Sequence, residues 1–331
     1  MTDELDLLRE ANPVSADTGP WRDRPLNARA ELLLRRLPSQ DRGRRTVRRV
    51  VWSLEAAAAA TVLALALTVS GTPSSAVAAS RPVPLVAHVS RADVSLTEIV
   101  RRARAAAEES PGRSERGSHF QSWALSMKSG EDAVTLPRES LTRWNADGSG
   151  STLEVATDPR HPGRPVIEDG PPPRTVHDGK VLSEERYPPG INGANESYFE
   201  DPPTGASALR EYLAVWTPDA DRDPAELLSA VGSFLTVWTP GPRQRADIAT
   251  LLSGLEGLRP AGRVTDRLGR EGQGFRFTGT PGGRYLIVLD PDDGRVLDIE
   301  ETFTRDAPEY RVKAGDVMSY TAYISLSLIH L

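Results

Sequence analysis

Residues 285–304 read Y-L-I-V-L-D-P-D-D-G-R-V-L-D-I-E-E-T-F-T. Pro291-Asp292-Asp293-Gly294 has turn chemistry, and the runs on either side, Tyr285 to Asp290 and Arg295 to Thr304, have the apolar and β-branched make-up of strands. Working outward, Arg263 to Arg267, Gly274 to Thr278 and Val317 to Leu331 share that character, so the last third of the chain is antiparallel β by pattern. In the final strand Tyr320, Ala322, Ile324, Leu326 and Leu328 share one face, while Ser319, Thr321, Tyr323, Ser325 and Ser327 share the other. That alternation predicts one buried side and one that is wet or lines a cavity.

Upstream, L-A-V-W-T-P (213–218) recurs 22 residues later as L-T-V-W-T-P (235–240). Three helices are expected around this near-repeat: Ala206 to Trp216, Pro224 to Trp238 and Pro242 to Leu258, with Pro224 and Pro242 suited to first helical turns. Two copies are too few for a solenoid. Trp216 and Trp238, each beside Leu and Val, read as core residues rather than ligand-stacking ones. Residues 158–205 hold 10 prolines and 6 glycines and read as an extended loop with at most short edge strands. Before them, Glu139 to Asn145 and Ser151 to Thr157 flank A-D-G-S-G, a hairpin signal, and His119 to Met127 alternates as a strand. Ser95-x-x-Glu98 is a capping box opening the amphipathic helix Leu96 to Glu109, whose Ile99, Val100, Ala103 and Ala107 follow the helical period.

Further towards the N-terminus the solvent changes. Val50 to Val69 (V-V-W-S-L-E-A-A-A-A-A-T-V-L-A-L-A-L-T-V) is mostly apolar, and twenty helical residues cover about 30 Å, the hydrocarbon thickness of a bilayer. Residues 50–70 are therefore expected to form one transmembrane helix. Arg44, Arg45, Arg48 and Arg49 precede it, with Arg42, whereas Arg81 stands alone after it, so these topogenic charges predict a cytoplasmic N-terminus and an exterior C-terminal part. Glu55 lies near the arginine end, where a charge reaches the interface. A cleaved signal sequence is the competing reading, because Ala76-Val77-Ala78 fits a small-residue site; the 49 residues ahead of the apolar run are long for such a leader. Residues 71–94, small and punctuated by proline, read as a linker, and residues 95–331 as the exterior domain. In the tail, residues 1–49, two short helical patterns place Leu5 and Leu8 on one face and Leu32, Leu33 and Leu37 on another. Neither is long enough to stand alone, so these leucines are expected to bind a cytoplasmic partner.

Composition narrows the chemistry. Net charge is -6, but residues 1–49 carry 11 arginines against 8 acids, leaving the exterior part acidic. An acidic surface argues against a nucleic-acid partner. There is no cysteine, which removes disulfides, thiolate metal sites and Cys nucleophiles. Asp219-x-Asp221-x-Asp223 has calcium-loop alternation, but Pro224 stands where that loop needs glycine, and Asp223 reads better as a helix cap. Asp290, Asp292 and Glu301 make a second such frame, which fails because Gly294 takes its fifth position. The five histidines are scattered without metal-ligand spacing. Glu300 and Glu301, adjacent on a strand, point to opposite faces and cannot act as an acid/base pair. No hydrolase, phosphate-loop or dinucleotide motif occurs, so neither an enzyme nor a cofactor is expected.

Several stretches together resemble a family of uncharacterised actinobacterial single-pass membrane proteins often encoded beside extracytoplasmic-function sigma factors. They are D-E-L-D-L-L-R-E (3–10), the arginine-to-span junction, L-T-E-I-V with F-Q-S-W-A (within 96–124), R-W-N-A-D-G-S (143–149), A-L-R-E-Y-L (208–213), R-A-D-I-A-T-L-L-S-G-L-E-G-L (245–258), V-T-D-R-L-G-R-E-G (264–272) and L-D-P-D-D-G-R-V-L (289–297). The resemblance implies a regulatory or sensory membrane protein, anti-sigma-like, with a sigma factor as cytoplasmic partner and no assigned catalytic residue. The expected architecture is α+β: a cytosolic tail, one transmembrane helix and an exterior domain whose curved, half-barrel-like antiparallel sheet packs on several helices. Such an order of elements is also similar to lipoprotein-carrier half-barrels. The alternative function is thus a membrane-tethered module for lipid or another hydrophobic ligand, held in an apolar cavity under the sheet.

Overall fold

The structure, a computed structural model, describes residues 81–125, 137–157, 163–170, 172–177, 179–189, 200–217, 220, 223–279, 283–308 and 311–326. The chain divides into two units, Met1–Thr72 and Pro73–Leu331, and all described residues belong to the second. The predicted tail and span therefore lie outside the described residues. Among these residues, no helix is long and apolar enough to cross a membrane.

The elements run β1 (Ala87–His88), α1 (Leu96–Glu109), β2 (Glu115–Ala124), β3 (Arg138–Trp144), β4 (Gly150–Ala156), β5 (Ile167–Glu168), β6 (Arg174–Thr175), β7 (Lys180–Tyr187), α2 (Ala206–Trp216), α3 (Pro224–Leu235), β8 (Trp238–Thr239), α4 (Pro242–Ser253), β9 (Arg259–Thr265), β10 (Glu271–Thr278), β11 (Gly283–Leu289), β12 (Val296–Phe303) and β13 (Val317–Ile324). The result is α+β with a large antiparallel sheet. Its order is β1-β9-β10-β11-β12-β13-β2-β3-β4-β7, with β8 pairing β2 off that path and β5–β6 a separate ribbon. The 285–304 stretch forms the expected pair, Ile287 opposite Ile299. Its turn is closed by Asp290 and Asp293, whose Oδ1 atoms accept from Asp292 N and Arg295 N at 2.9 Å. β13 joins the C-terminal meander to the N-terminal one, setting Tyr320 opposite Trp123.

Local chemistry accounts for most boundaries. Ser95 Oγ caps α1 by accepting from Glu98 N at 3.2 Å. Glu98 does not reach back to close the capping box; its carboxylate holds Arg101 and Arg102 instead. Asp223 caps α3 through Ala225 N, 2.8 Å, with Pro224 in the first turn. This α3 ends at Leu235, three residues before the predicted Trp238, because Trp238 and Thr239 leave to pair with β2. The β-branched Thr236 and Val237 ahead of Pro240 favour that exit. The helix α4 likewise stops at Ser253 rather than Leu258.

The sheet's inner face carries the main core: Phe275, Ile287, Leu289 and Tyr323 meet Leu213 of α2, Phe234 of α3 and Ile248 and Leu252 of α4. Trp238, 1% exposed, stands edge-on to Trp144 at 4.5 Å, as a core residue should. Trp216's side chain lies outside the described ones. The outer face corrects an expectation. On β13, Tyr320 and Ala322 are buried outward while Tyr323 is buried against the helices, so neither side is wet. Outer segments cover the strands: Leu85 and Ala87 lie on Val264, Leu286 and Val288, Val312 on Trp123 and Tyr320, and Val166 and Ile167 on Leu141 and Val155. Two further boundaries shift. Residues 158–205, read as loop, contain the eight-residue edge strand β7, paired to β4 over a proline-free stretch. Residues 81–94, read as part of a linker, are docked on the sheet.

Candidate functional site

The residues predicted to bind a partner (Leu5, Leu8, Leu32, Leu33, Leu37) and the topogenic Arg44, Arg45, Arg48 and Arg49 lie outside the described residues. What the structure brings together instead is a set of polar side chains buried on the outer face. Strand alternation points His119 and Gln121 of β2 outward, because Phe120 packs against the inner core. Register then lines up Asp298, Ala322, Gln121 and Glu139 across four neighbouring strands, with Glu300, Tyr320 and Trp123 as the next row. At about 4.8 Å per strand, Asp298 and Glu139 stand about 14 Å apart.

Glu139, fully buried, is saturated with donors. Its Oε1 accepts from His119 Nε2 at 2.7 Å and Ile167 N at 3.0 Å; its Oε2 accepts from Gln121 Nε2 at 2.8 Å and Val166 N at 2.9 Å. Burial pushes the carboxyl's pKa up, but His119 and the other donors outweigh it and hold the group below its ordinary value. The carboxylate thus pins the 163–168 segment onto the sheet.

Asp298 and Glu300 form the other end. Glu300, 1% exposed, pairs with the Arg267 guanidinium, which lies 4.6 Å over the Tyr320 ring. The other Glu300 oxygen, Oε1, accepts from Leu85 N at 2.9 Å. Asp298 receives a 3.4 Å contact from Arg267 N on Oδ2, while among the described residues its Oδ1 has no hydrogen-bond partner. Burial above all, then the charges of Glu300 and Asp266, against the opposing Arg267, raises Asp298 well above the ordinary carboxylate range. Burial also pushes the Tyr320 phenol up to about 12. Beside them Arg270 holds Asp266 and donates to Tyr323 O at 2.6 Å and Leu297 O at 2.9 Å.

These groups bind the protein's own backbone, and the segment they hold most tellingly is 81–94. Arg81 Nη1 donates to Arg311 O at 2.6 Å and Asp316 Oδ2 at 3.0 Å, Leu85 N to Glu300, and Val94 N to Gln273 Oε1 at 2.9 Å. Between these anchors Ala87 and His88 add β1 to the edge of β9. The 81–94 segment is a strap, fastened at four places along its length.

A cleft of about 30 Å³, room for a water or two, opens beyond the end of β13 near His119, Trp238, Arg245, Arg295 and Tyr323. The inner face is filled by side chains such as Phe234, Trp238 and Phe275, each 1% exposed or less. Of the face shared by Tyr320, Ile324 and Leu326, which a ligand cavity beneath the sheet would use, Tyr320 and Leu326 pack in outer clusters and Ile324 borders the small cleft. Glu300 and Glu301 do point to opposite faces: Glu301 is inward, where burial raises its carboxyl. Among the described residues, no group of three His, Asp or Glu could hold a metal ion.

Sequence reasoning missed His119, Glu139, Arg267 and Asp298. The available signal was a pair of polar residues two apart, and so on one face of a strand, H-x-Q at 119–121 and D-x-E at 298–300. The fold belongs to the class of α+β proteins with a long antiparallel sheet and helices on one face. Compared with family models, curated proteins and solved structures, the chain matches none.

Proposed function

We propose that the protein is a non-enzymatic, single-pass membrane regulator whose exterior domain senses or binds and whose cytoplasmic tail, through Leu5, Leu8, Leu32, Leu33 and Leu37, engages a regulatory partner. The observation that supports this reading is the strap. Residues 81–94 come ten residues after the expected span, and they are tied to the domain at Asp316, Glu300, Gln273 and the edge of β9 rather than left loose. A domain fastened in this way passes a change in its outer face to the segment entering the membrane, a coupling that an untied linker would lose. The family resemblance makes a sigma factor the expected partner.

Purification from membranes of the full chain and of a chain lacking residues 1–40 tests the reading. The expected outcome is a cytoplasmic regulator retained by the first and lost from the second. Identical partner sets would overturn it. The alternative, a tethered module for lipid or another hydrophobic ligand with a half-barrel sheet, is supported by the helices lying on one face of a long antiparallel sheet, but the filled inner face counts against it. Native mass spectrometry that finds a co-purifying lipid would restore it.

A further inference from the structure

Four large apolar side chains are markedly exposed among the described residues, and three of them lie within seven residues of the strap: Val83 at 75%, Val86 at 59% and Val89 at 83%. They are interspersed with Pro82, Leu85 and Ala87, which are partly buried, so the strap exposes apolar surface to solvent. The place is the free edge of the sheet, since β1 ends the strand order. Arg91, Arg259 and Arg263 are exposed there, the last opposite His88 in register. Two acids stand nearby, Glu271 paired with Arg263 and Asp93 hydrogen-bonded to Ser90, so the three arginines leave a small positive excess at this edge of a domain that is acidic as a whole.

We propose that this edge, Val83, Val86 and Val89 with Arg91, Arg259 and Arg263, docks on the surface of an anionic bilayer. The proposal rests on the membrane-anchored reading above. Exposed aliphatic side chains flanked by arginines are the composition that binds an interface, the valines entering among the headgroups and the guanidinium groups meeting lipid phosphate. Chain length fits the same occupant. Ten residues, 71–80, separate the expected end of the span from Arg81, and they reach at most about 35 Å, so the strap is held within reach of the membrane surface. Docking there would hold β1 and β9 against the bilayer.

The chain has no cysteine, which makes single-site labelling clean. The full chain, as Val86→Cys or as Val181→Cys on β7 at the opposite edge, is labelled with a polarity-sensitive fluorophore and reconstituted into phosphatidylglycerol/phosphatidylcholine vesicles carrying headgroup-depth spin-label quenchers. The expected result is at least threefold stronger quenching at position 86 than at 181, lost when Val83 and Val89 are changed to Asp or when the vesicles are all phosphatidylcholine. Equal quenching at the two positions overturns the proposal. Quenching at 86 by a second labelled copy, with none by lipid, overturns it in favour of self-association. Alkaline carbonate extraction separates this from the anchor: a retained chain with an unquenched label defeats the docking alone. An extracted chain defeats the anchor, and a label at 86 still quenched by added vesicles then upholds docking without it.

Discussion

A carboxylate removed from water must have its charge answered or give it up, and Glu139 and Asp298 take the two courses. Glu139 accepts four hydrogen bonds and stays ionised below its ordinary value of 4.5. With a depressed folded pKa its stabilisation is complete above the unfolded value and disappears as pH falls through the folded one. A glutamine there turns an amide N–H₂ towards two of the donors, so Glu139→Gln is expected to cost about 3 kcal/mol at neutral pH, with the gap to wild type narrowing under acid; urea midpoints across pH measure it. Asp298 works in the other direction. Its folded pKa is raised above 3.8, so its contribution is full below the unfolded value and is lost as pH rises through the folded one. Asp298→Asn, which keeps an acceptor for Arg267 N and removes the titrating proton, is expected to match wild type in acid and exceed it in urea resistance at neutral pH. A variant that loses ground to wild type as pH rises would show that the Asp298 carboxyl is not under strain.

At the scale of elements, the helices were legible where their signals are local. The α1 and α2 boundaries match the expected ones residue for residue, because the apolar spacing, and for α1 the Ser95 cap, are local to the segment they define. The end of α3 was hidden, since Trp238 and Thr239 have helical neighbours in sequence but a β2 partner more than a hundred residues away. Strand β7 was masked by its proline-rich flanks, although residues 174–187 contain none. β1 depends on Gly262, whose φ of +113° and close approach to His88 leave no room for a side chain: a Cβ there would lie 2.6 Å from His88 C. Gly262→Ala is expected to cost about 2 kcal/mol of strain and to release β1. Hydrogen exchange at Leu85 and Ala87 should then quicken about thirtyfold, while the amides of α1 keep their protection. Equal quickening in α1 would mean global unfolding rather than an undocked strap.

For the whole molecule, the pattern of legibility follows the distance over which contacts act. Strand character was readable throughout the last third, yet pairings such as His119 with Glu139 or Asp298 with the Arg267 backbone depend on register between separate strands, which no local pattern encodes. The same limit hid the docking of residues 81–94. Residues 71–94 look like a tether because proline and small residues dominate, but the second half of that stretch is held by groups far along the chain, at Gln273, Glu300 and Asp316. A chain begun at Ser95 would leave Glu300 and Gln273 with buried acceptors unanswered and uncover Val264, Leu286 and Val288. Each lost bond to a buried acceptor costs about 1–3 kcal/mol, and each kcal/mol moves the midpoint of a domain this size by about 2–4 °C. The fragment 95–331 is therefore expected to melt about 10 °C below 81–331 when the two are compared by circular dichroism. Coincident melting curves would mean that the strap only rests on the domain, and the proposed coupling of the domain to a membrane anchor would lose its support.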